Sequence, residues 1–328
     1  MSNRTSGTSP GSTWTHPLPP DGFDPRAASP LELLRYGLPQ RPDSAVRPEL
    51  AAVWDEVFSR KLSYITPVFR PAQELIPGIS RPDRPRPDAN GTNGTWSGTV
   101  THAPAGEAFE WVFGTWNVPN VEPGGEGPGS WWAATWIGID GVTDVTQIGT
   151  MQVASRASKG RPTMSCFAWH EWWSAFAPSP WVAISNFPLT FGDTISGLIC
   201  LLSPTEASFS LVNMTTGVHV GFGQIPLTAP PDTASMENQA EWILERPELS
   251  TGQALLPDFS EIYFSSAYAG RGLDFLAEGG AADTVLNMVE NGTTVATTTI
   301  ETPTLFKIDY TGGPPPADER AFSPGLCR

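Results

Sequence analysis

Carboxylate and amide side chains recur in four short segments of this 328-residue chain, three of which also contain tryptophan, at a spacing that could support acid–base or hydrogen-bonding chemistry. Every segment has the period of two that is typical of β-strands, which sends alternate side chains to opposite faces. The segments are 131–140 (WWAATWIGID), 144–153 (DVTQIGTMQV), 166–173 (CFAWHEWW) and 240–246 (AEWILER).

The first and third segments combine carboxylates with large aromatic rings on one face. That face carries Trp132, Ala134, Trp136, Gly138 and Asp140 in the first, and Phe167, Trp169, Glu171 and Trp173 in the third. A lone carboxylate on a half-buried strand usually faces solvent. Large aromatic side chains beside it indicate a ligand groove instead. This composition suits a peptide groove and a sugar groove equally well.

The other two segments add polar groups with the same alternation. Gln147 lies in line with Val145 and Gly149, whereas Glu241 and Glu245 lie on the same side of their strand. Several strands with this mixture favour one shared ligand-binding face over separate solvated edges.

Composition sets the class of protein that must position these groups. The chain is 39% hydrophobic and has a net charge of −15, so it can build a core but is poorly suited to nucleic-acid or anionic-membrane surfaces. Three cysteines and four scattered histidines show no metal-ligand spacing. The N-terminus shows no signal peptide, and the sequence shows no transmembrane helix.

The sequence divides into three parts. Residues 1–88 form a Pro-rich, partly helical extension, with helical patterns that begin near Ser29-Pro30 and Pro48, and residues 77–90 read as a linker. Short strands broken by Gly, Asn and Pro over 89–310 predict an antiparallel sandwich or barrel, with hairpin-type dipeptides at Asn90-Gly91, Asn93-Gly94 and Asn291-Gly292. Residues 311–328 are expected to be a flexible tail.

A series of motifs then follows in a fixed order between residues 93 and 310. They are Thr95-Trp96-Ser97-Gly98, Gly114–Pro119, Trp136-Ile137-Gly138-Ile139-Asp140-Gly141, Gln147-Ile148-Gly149, Ala168–Trp173, Gly192-Asp193, Asn213–Gly217 and Ala240–Glu245. Together they resemble the glutamic peptidases (eqolisins), which are acid endopeptidases. The resemblance implies an all-β fold, an antiparallel β-sandwich of the concanavalin/lectin-like kind, here with a short helical Pro-rich N-terminal extension.

The resemblance also implies a mechanism that needs no cofactor. Glu245 would be the general base that activates water, and Gln147 would stabilise the oxyanion. The expected substrate-binding residues are Trp96, Trp136, Asp140, Trp169, Glu171, Trp173 and Glu241. Polypeptides are the expected substrates of a monomeric enzyme that binds neither nucleic acid nor membrane. Family members are secreted, which suggests an extracellular protein.

Three departures from the family pattern concern the site. Trp173 replaces a groove-facing Tyr, which would enlarge the aromatic surface. His170 and Arg246 replace residues next to Glu171 and Glu245, but alternation sends both to the opposite face. By family precedent, residues 1–88 are interpreted as a propeptide. The alternatives for the whole chain are a jelly-roll glycoside hydrolase, with two of Glu171, Glu241 and Glu245 as its carboxylates, and a non-catalytic sugar- or peptide-binding module.

Overall fold

Antiparallel strands dominate the structure. The computed structural model describes residues 12–71, 91–140, 144–174, 181–225, 238–249, 252–272 and 275–312. The whole of the expected linker at 77–90 therefore lies outside the described residues, as does the tail beyond 312. The two helices are Pro30–Arg35 (α1) and Pro48–Phe58 (α2). In chain order, the strands are Thr13–Thr15 (β1), Ser63–Ile65 (β2), Phe69–Pro71 (β3), Thr92–Asn93 (β4), Trp96–His102 (β5), Trp111–Asn117 (β6), Val121–Glu122 (β7), Gly129–Asp140 (β8), Asp144–Arg156 (β9), Thr163–Ser174 (β10), Val182–Ile184 (β11), Thr194–Ser203 (β12), Glu206–Asn213 (β13), Val218–Gln224 (β14), Gln239–Glu245 (β15), Glu248–Leu249 (β16), Gly252–Gln253 (β17), Asp258–Phe259 (β18), Ile262–Arg271 (β19), Phe275–Glu278 (β20), Thr284–Glu290 (β21), Thr293–Thr302 (β22) and Leu305–Tyr310 (β23).

The strands form two large sheets. In sheet A the order is β14-β13-β12-β6-β19-β23-β22-β21, with β1 and β2 on the free edge of β14. In sheet B the order is β3-β11-β10-β9-β8-β15-β5-β21. The strand β21 pairs in both sheets and joins them. At the turn from β21 to β22, Asn291 and Gly292 have φ angles of 49° and 79°, which confirms this one of the three expected hairpin dipeptides. Asn93-Gly94 instead follows β4, which pairs in parallel with β21, and Asn90 lies outside the described residues.

The main hydrophobic core lies between the two sheets, so the all-β sandwich predicted from the sequence is confirmed. Alternation supplies it from both sides: Val112, Trp116, Ile195, Ile199 and Phe209 come from sheet A, and Ala133, Ile137, Ile148, Trp172 and Trp242 from sheet B. Burial of these apolar side chains is the main force that holds the sheets face to face.

A second cluster covers the other face of sheet B. It contains Trp96, Trp132, Trp136, Trp169, Trp173 and Trp181, together with smaller apolar side chains such as Met151 and Ile243. We call this surface of sheet B the tryptophan face. Its members are the alternate residues of each strand that do not enter the main core, as the period of two predicts.

Residues 12–71 form a third layer on the outer face of sheet A, which we call the N-terminal layer. Leu33, Trp54 and Phe58 of its helices pack against Val212 and Met214 of the sandwich. Its strands β1 and β2 pair with β14 of sheet A, and β3 pairs with β11 of sheet B. The helices therefore lie on the opposite side of the sandwich from the tryptophan face.

The helices of this layer begin as the sequence predicts. Ser29 caps α1 in a capping box, because its hydroxyl accepts from the Glu32 N–H at 3.3 Å while the Glu32 carboxylate accepts from the Ser29 N–H at 2.9 Å. Pro48 opens α2 at a position where its missing N–H costs nothing.

Candidate active site

Gln147 lies at the centre of sheet B, on the tryptophan face. It is fully buried in β9, directly opposite Glu171 of β10 in the strand register. Its Nε2 donates a hydrogen bond of 2.9 Å to Glu171 Oε2, which fixes the orientation of the amide. Within the described residues its Oε1 has no hydrogen-bond partner. A buried polar atom left unpaired costs about 1–3 kcal/mol, so this oxygen is a natural acceptor for water or substrate.

Glu245 ends β15 on the same face. The indole Nε1 of Trp136, on the neighbouring strand β8, donates a hydrogen bond of 2.9 Å to Glu245 Oε2. A hydrogen bond to an ionised carboxylate is stronger than one between two neutral groups, and this one fixes the direction in which the Glu245 carboxylate points. The ring of Trp96, from β5 on the far side of β15, meets Trp136 edge-on at 5.4 Å between centroids.

Two glycines make room for the indole of Trp136. A Cβ at Gly149 would lie 2.3 Å from the Thr135 carbonyl oxygen and 2.5 Å from Trp136 Cβ, and one at Gly138 would lie 2.8 Å from the indole ring. Both contacts are shorter than any side chain tolerates. Gly138 and Gly149 thus leave the space that the Trp136 side chain occupies.

The strand register relates Gln147 and Glu245 to each other. Gln147 is paired with Gly138 on one side of β8, and Glu245 is paired with Ala134 on the other side. Trp136 lies midway between those two β8 positions. The two residues therefore approach Trp136 from opposite sides, on one face of the sheet.

The remaining expected site residues lie around this centre. Glu241 is fully buried and is paired with Gly138, so it continues the row formed by Glu171, Gln147 and Gly138. Trp173, which is 8% exposed, is paired with Val145, one step along the face from Gln147. Asp140 ends β8, where its backbone is paired with Val145 and Gln239.

One aromatic residue of this face could not have been found from the sequence pattern. Trp181 stacks on Trp169 with 4.3 Å between ring centroids and a 10° angle between planes. It comes just before the three-residue strand β11, which is too short to show a period. A lone Pro180-Trp181 dipeptide was the only signal.

The two substituted neighbours point away from the site, as alternation predicts. Arg246 pairs with Glu290 at 2.6 Å and donates to the Gly94 carbonyl at 3.0 Å. His170 lies beneath the sheet, where its Nδ1 is 3.1 Å from Gln224 Oε1. Burial lowers the pKa of His170 to about 4.

Over the described ranges, no three His, Cys, Asp or Glu side chains are grouped so that they could hold a metal ion. The described helices include none that is long and apolar enough to cross a membrane.

Comparisons with known proteins give a match to one family model and similarity to several individual proteins. The family model described as the Peptidase A4 family matches residues 94–310. Aspergillopepsin-2 of Aspergillus niger is 27% identical over 224 residues, which are 62% of this chain and 73% of that protein. Among solved structures, scytalido-glutamic peptidase with a transition-state analogue inhibitor has a TM-score of 0.49 at 22% identity, covering 66% of this chain and 98% of that one. Aspergilloglutamic peptidase from Aspergillus niger has a TM-score of 0.46 at 24% identity, covering 55% and 99%.

The structure thus combines an antiparallel β-sandwich with a second, aromatic face that carries buried carboxylates and an amide. Since the family model spans well over half of the chain, this protein belongs to the Peptidase A4 family, the glutamic peptidases or eqolisins. It is a glutamic-type acid endopeptidase that acts on polypeptides. Membership decides between the peptide and sugar grooves, which the sequence pattern left equal.

Proposed function

We propose that Glu245 and Gln147 form the catalytic dyad of this peptidase. The observation that carries the proposal is the arrangement around Trp136: the indole N–H holds the Glu245 carboxylate from one side, and Gln147 approaches from the other. Both polar groups are oriented by neighbours before substrate binds, which is what an efficient acid–base site requires.

In the first step, Glu245 takes a proton from a water molecule as the water oxygen attacks the carbonyl carbon of the scissile peptide bond. The carbonyl electrons move to its oxygen, and an N–H of Gln147 donates to that developing oxyanion. In the second step the carbon–nitrogen bond breaks, and the proton on Glu245 passes to the leaving amine. The neutral Gln147 donor keeps its hydrogen-bonding ability in acid, because an amide does not titrate there.

We propose that Glu171, besides lining the substrate groove, holds the Gln147 amide in the orientation that catalysis needs. Its hydrogen bond uses one amide N–H of Gln147 and leaves the second N–H and the unpartnered Oε1 for the oxyanion and the water. Glu241 and Asp140 would then bind polar groups of the peptide, while Trp96, Trp136, Trp169 and Trp173 would pack against its side chains.

The three-part division of the chain also stays a proposal. It is supported by the family match, which begins at residue 94, after the expected extension 1–88. We also propose a monomeric enzyme that binds neither nucleic acid nor membranes. A net charge of −15 is consistent with this, because it repels anionic surfaces.

The test is hydrolysis of denatured casein between pH 2 and 7 by the purified chain, with and without pepstatin. We expect pepstatin-resistant cleavage in acid that is abolished by Glu245→Gln and by Gln147→Ala, while both variants keep the circular dichroism spectrum of the native chain. The matched control is Glu248→Gln, which changes a carboxylate three residues beyond Glu245 and outside the site. Full activity in either dyad variant would refute the assignment.

A further inference from the structure

Three of the four histidines of the chain lie where the N-terminal layer meets the sandwich, and catalysis uses none of them. His16 follows β1 in the layer, His219 lies in β14, and His170 lies in β10. The fourth, His102, lies at the end of β5, where it is 3.4 Å from Asp283. Such a concentration of one titratable residue type at one interface makes its pH response specific to that interface.

His16 and His219 lie on the two sides of the interface, and a positive charge on one opposes a positive charge on the other. The imidazole of His219 packs edge-on against Tyr64 of the layer at 5.5 Å, and its Nε2 is 2.9 Å from the Ser210 hydroxyl. His16 packs against Trp14, makes a backbone hydrogen bond at Arg35, and repels a charge on His219. Beyond Tyr64 lies the exposed Asp24–Arg26 pair. Protons on both imidazoles would therefore put two like charges at a buried contact.

His170 lies on the inner face of sheet B, where the layer reaches it through Phe69 of β3. The rings of Phe69 from the layer and of Phe209 and Phe222 from the sandwich surround it, at 5.2, 5.6 and 4.6 Å between centroids. Because Gln224 Oε1 accepts at Nδ1, that nitrogen carries the hydrogen. Its Nε2 is buried and has no partner among the described residues. A proton added there would create a charge among phenyl rings.

Charge attraction does not explain why the layer is docked. Residues 12–71 contain seven basic and seven acidic side chains, so the layer has no net charge to set against the acidic sandwich. Apolar packing and strand pairing hold it instead, with the histidines inside that contact. We propose that the N-terminal layer is docked by uncharged histidines and loosens from the sandwich in acid, when His16, His170 and His219 take up protons.

The direction in which pH changes the docking of the layer follows from the pKa values of the three histidines. Burial lowers the pKa of His170 to about 4 and that of His219 to about 3, and it also lowers the pKa of His16. On undocking, the pKa values of His16 and His219 would rise toward about 6.5, and that of His170 would rise part of the way, since it would lose the cover of Phe69 but keep that of Phe209 and Phe222. Docking is therefore strongest above about pH 6.5, and each histidine weakens it by about tenfold per pH unit as the pH falls toward the docked value.

Hydrogen–deuterium exchange of the full chain tests this proposal. The proposal is independent of the proposed catalytic dyad, because the exchange measurement does not depend on peptidase activity. Exchange is measured at pH 7, 6, 5 and 4, corrected for the intrinsic rate, with intact mass recorded to exclude self-cleavage. We expect the amides of β1, β2 and β3 to lose protection by about a hundredfold or more between pH 6.5 and 4.5, while those of β22 and β23 keep theirs. Equal protection of β1 to β3 at pH 7 and 4 would overturn the proposal.

The variants separate histidine from other acid effects. The triple variant His16→Gln, His170→Gln, His219→Gln keeps hydrogen-bonding side chains but cannot titrate, so its layer should stay protected down to pH 4. His102→Gln, the matched control, should behave like the native chain. An unchanged loss of protection in the triple variant would overturn the proposal in favour of carboxylate protonation.

A second measurement covers the case in which the triple variant fails to dock at pH 7. The imidazole Cε1–H signals of the native chain are then followed by NMR during the titration. Signals of His16, His170 and His219 that change together with the loss of protection support the proposal. Titration of all three near pH 6.5 with the layer still protected would contradict it.

Discussion

Trp136 belongs to the tryptophan face and also donates a hydrogen bond to Glu245, the proposed general base. Its indole N–H is the donor that orients Glu245, and its ring meets Trp96 edge-on. The same side chain therefore has two separable roles, packing and hydrogen bonding. Replacement by another aromatic ring keeps the first and removes the second.

We expect Trp136→Phe to lower kcat/KM in acid by about 10–100-fold, since a hydrogen bond to a charged group contributes about 1.5–3 kcal/mol. Steady-state cleavage of a defined peptide measures this effect. The control is Trp131→Phe, which alters the same strand on the face that enters the main core. A kcat/KM for Trp136→Phe within twofold of the native value would show that the indole donor is not used.

At the scale of single strands, β8 and β9 owe their shape at the site to glycines. Gly149 has the Thr135 carbonyl and the Trp136 backbone closer to its missing Cβ than any side chain permits. Backbone atoms cannot move aside as a flexible side chain would, so a methyl group there must separate the strands or displace Trp136.

Gly149→Ala should accordingly lower the free energy of unfolding by about 1–3 kcal/mol, the usual cost of overpacking, and lower activity with it. Urea denaturation monitored by tryptophan fluorescence gives the first value, and peptide cleavage gives the second. Gly127→Ala, where the added Cβ meets nothing within 4 Å, is the control and should change neither. Native stability in Gly149→Ala would mean that the strands can part at no cost.

The end of β15 is anchored just beyond Glu245. Arg246 is 7% exposed and ties this end to Glu290 of β21 and to the Gly94 carbonyl. We expect Arg246→Met to cost about 1–3 kcal/mol, reduced from the value for a fully buried pair because Glu290 is partly exposed. Arg271→Met breaks the exposed pair with Glu107 and should cost about 0–1 kcal/mol in the same urea titration. Equal costs for the two variants would contradict the anchoring role.

On the scale of the whole molecule, the protein has three layers. The tryptophan face with the proposed site lies on one side, and the N-terminal layer covers the apolar outer face of sheet A on the other. Phe113, Val212 and Met214 of the sandwich are among the side chains that this layer covers. Because this layer has no net charge and binds by apolar contact, its removal should expose an apolar surface on sheet A that favours self-association.

A chain truncated to residues 72–328 should therefore bind the dye ANS and self-associate at pH 7, because its outer face of sheet A is exposed to water. Sedimentation velocity of the truncated and full chains in the same buffer measures the association. A truncated chain that stays monomeric, binds no dye and melts at the native temperature would show that the layer contributes nothing to the fold at neutral pH.

Local physics explains what could be predicted from the sequence alone. The period of two assigned the strands and sent Glu171, Glu241 and Glu245 to the same kind of face, because alternation is a property of each strand by itself. Proline, serine and glutamate at the helix starts, and Asn291-Gly292 at the hairpin, are equally local signals. The order of the motifs supplied the family, and with it the sandwich.

Contacts between distant segments were decided only by the tertiary structure. Strand order and register, which set Gln147 beside Glu171 and bring Trp136 to Glu245, depend on which edges pair, and no single strand encodes its neighbours. The stacking of Trp181 on Trp169 and the packing of Tyr64 against His219 are likewise long-range. The position of residues 12–71 behind sheet A follows from burial of apolar surface, which is settled by the whole molecule because burial needs a partner surface.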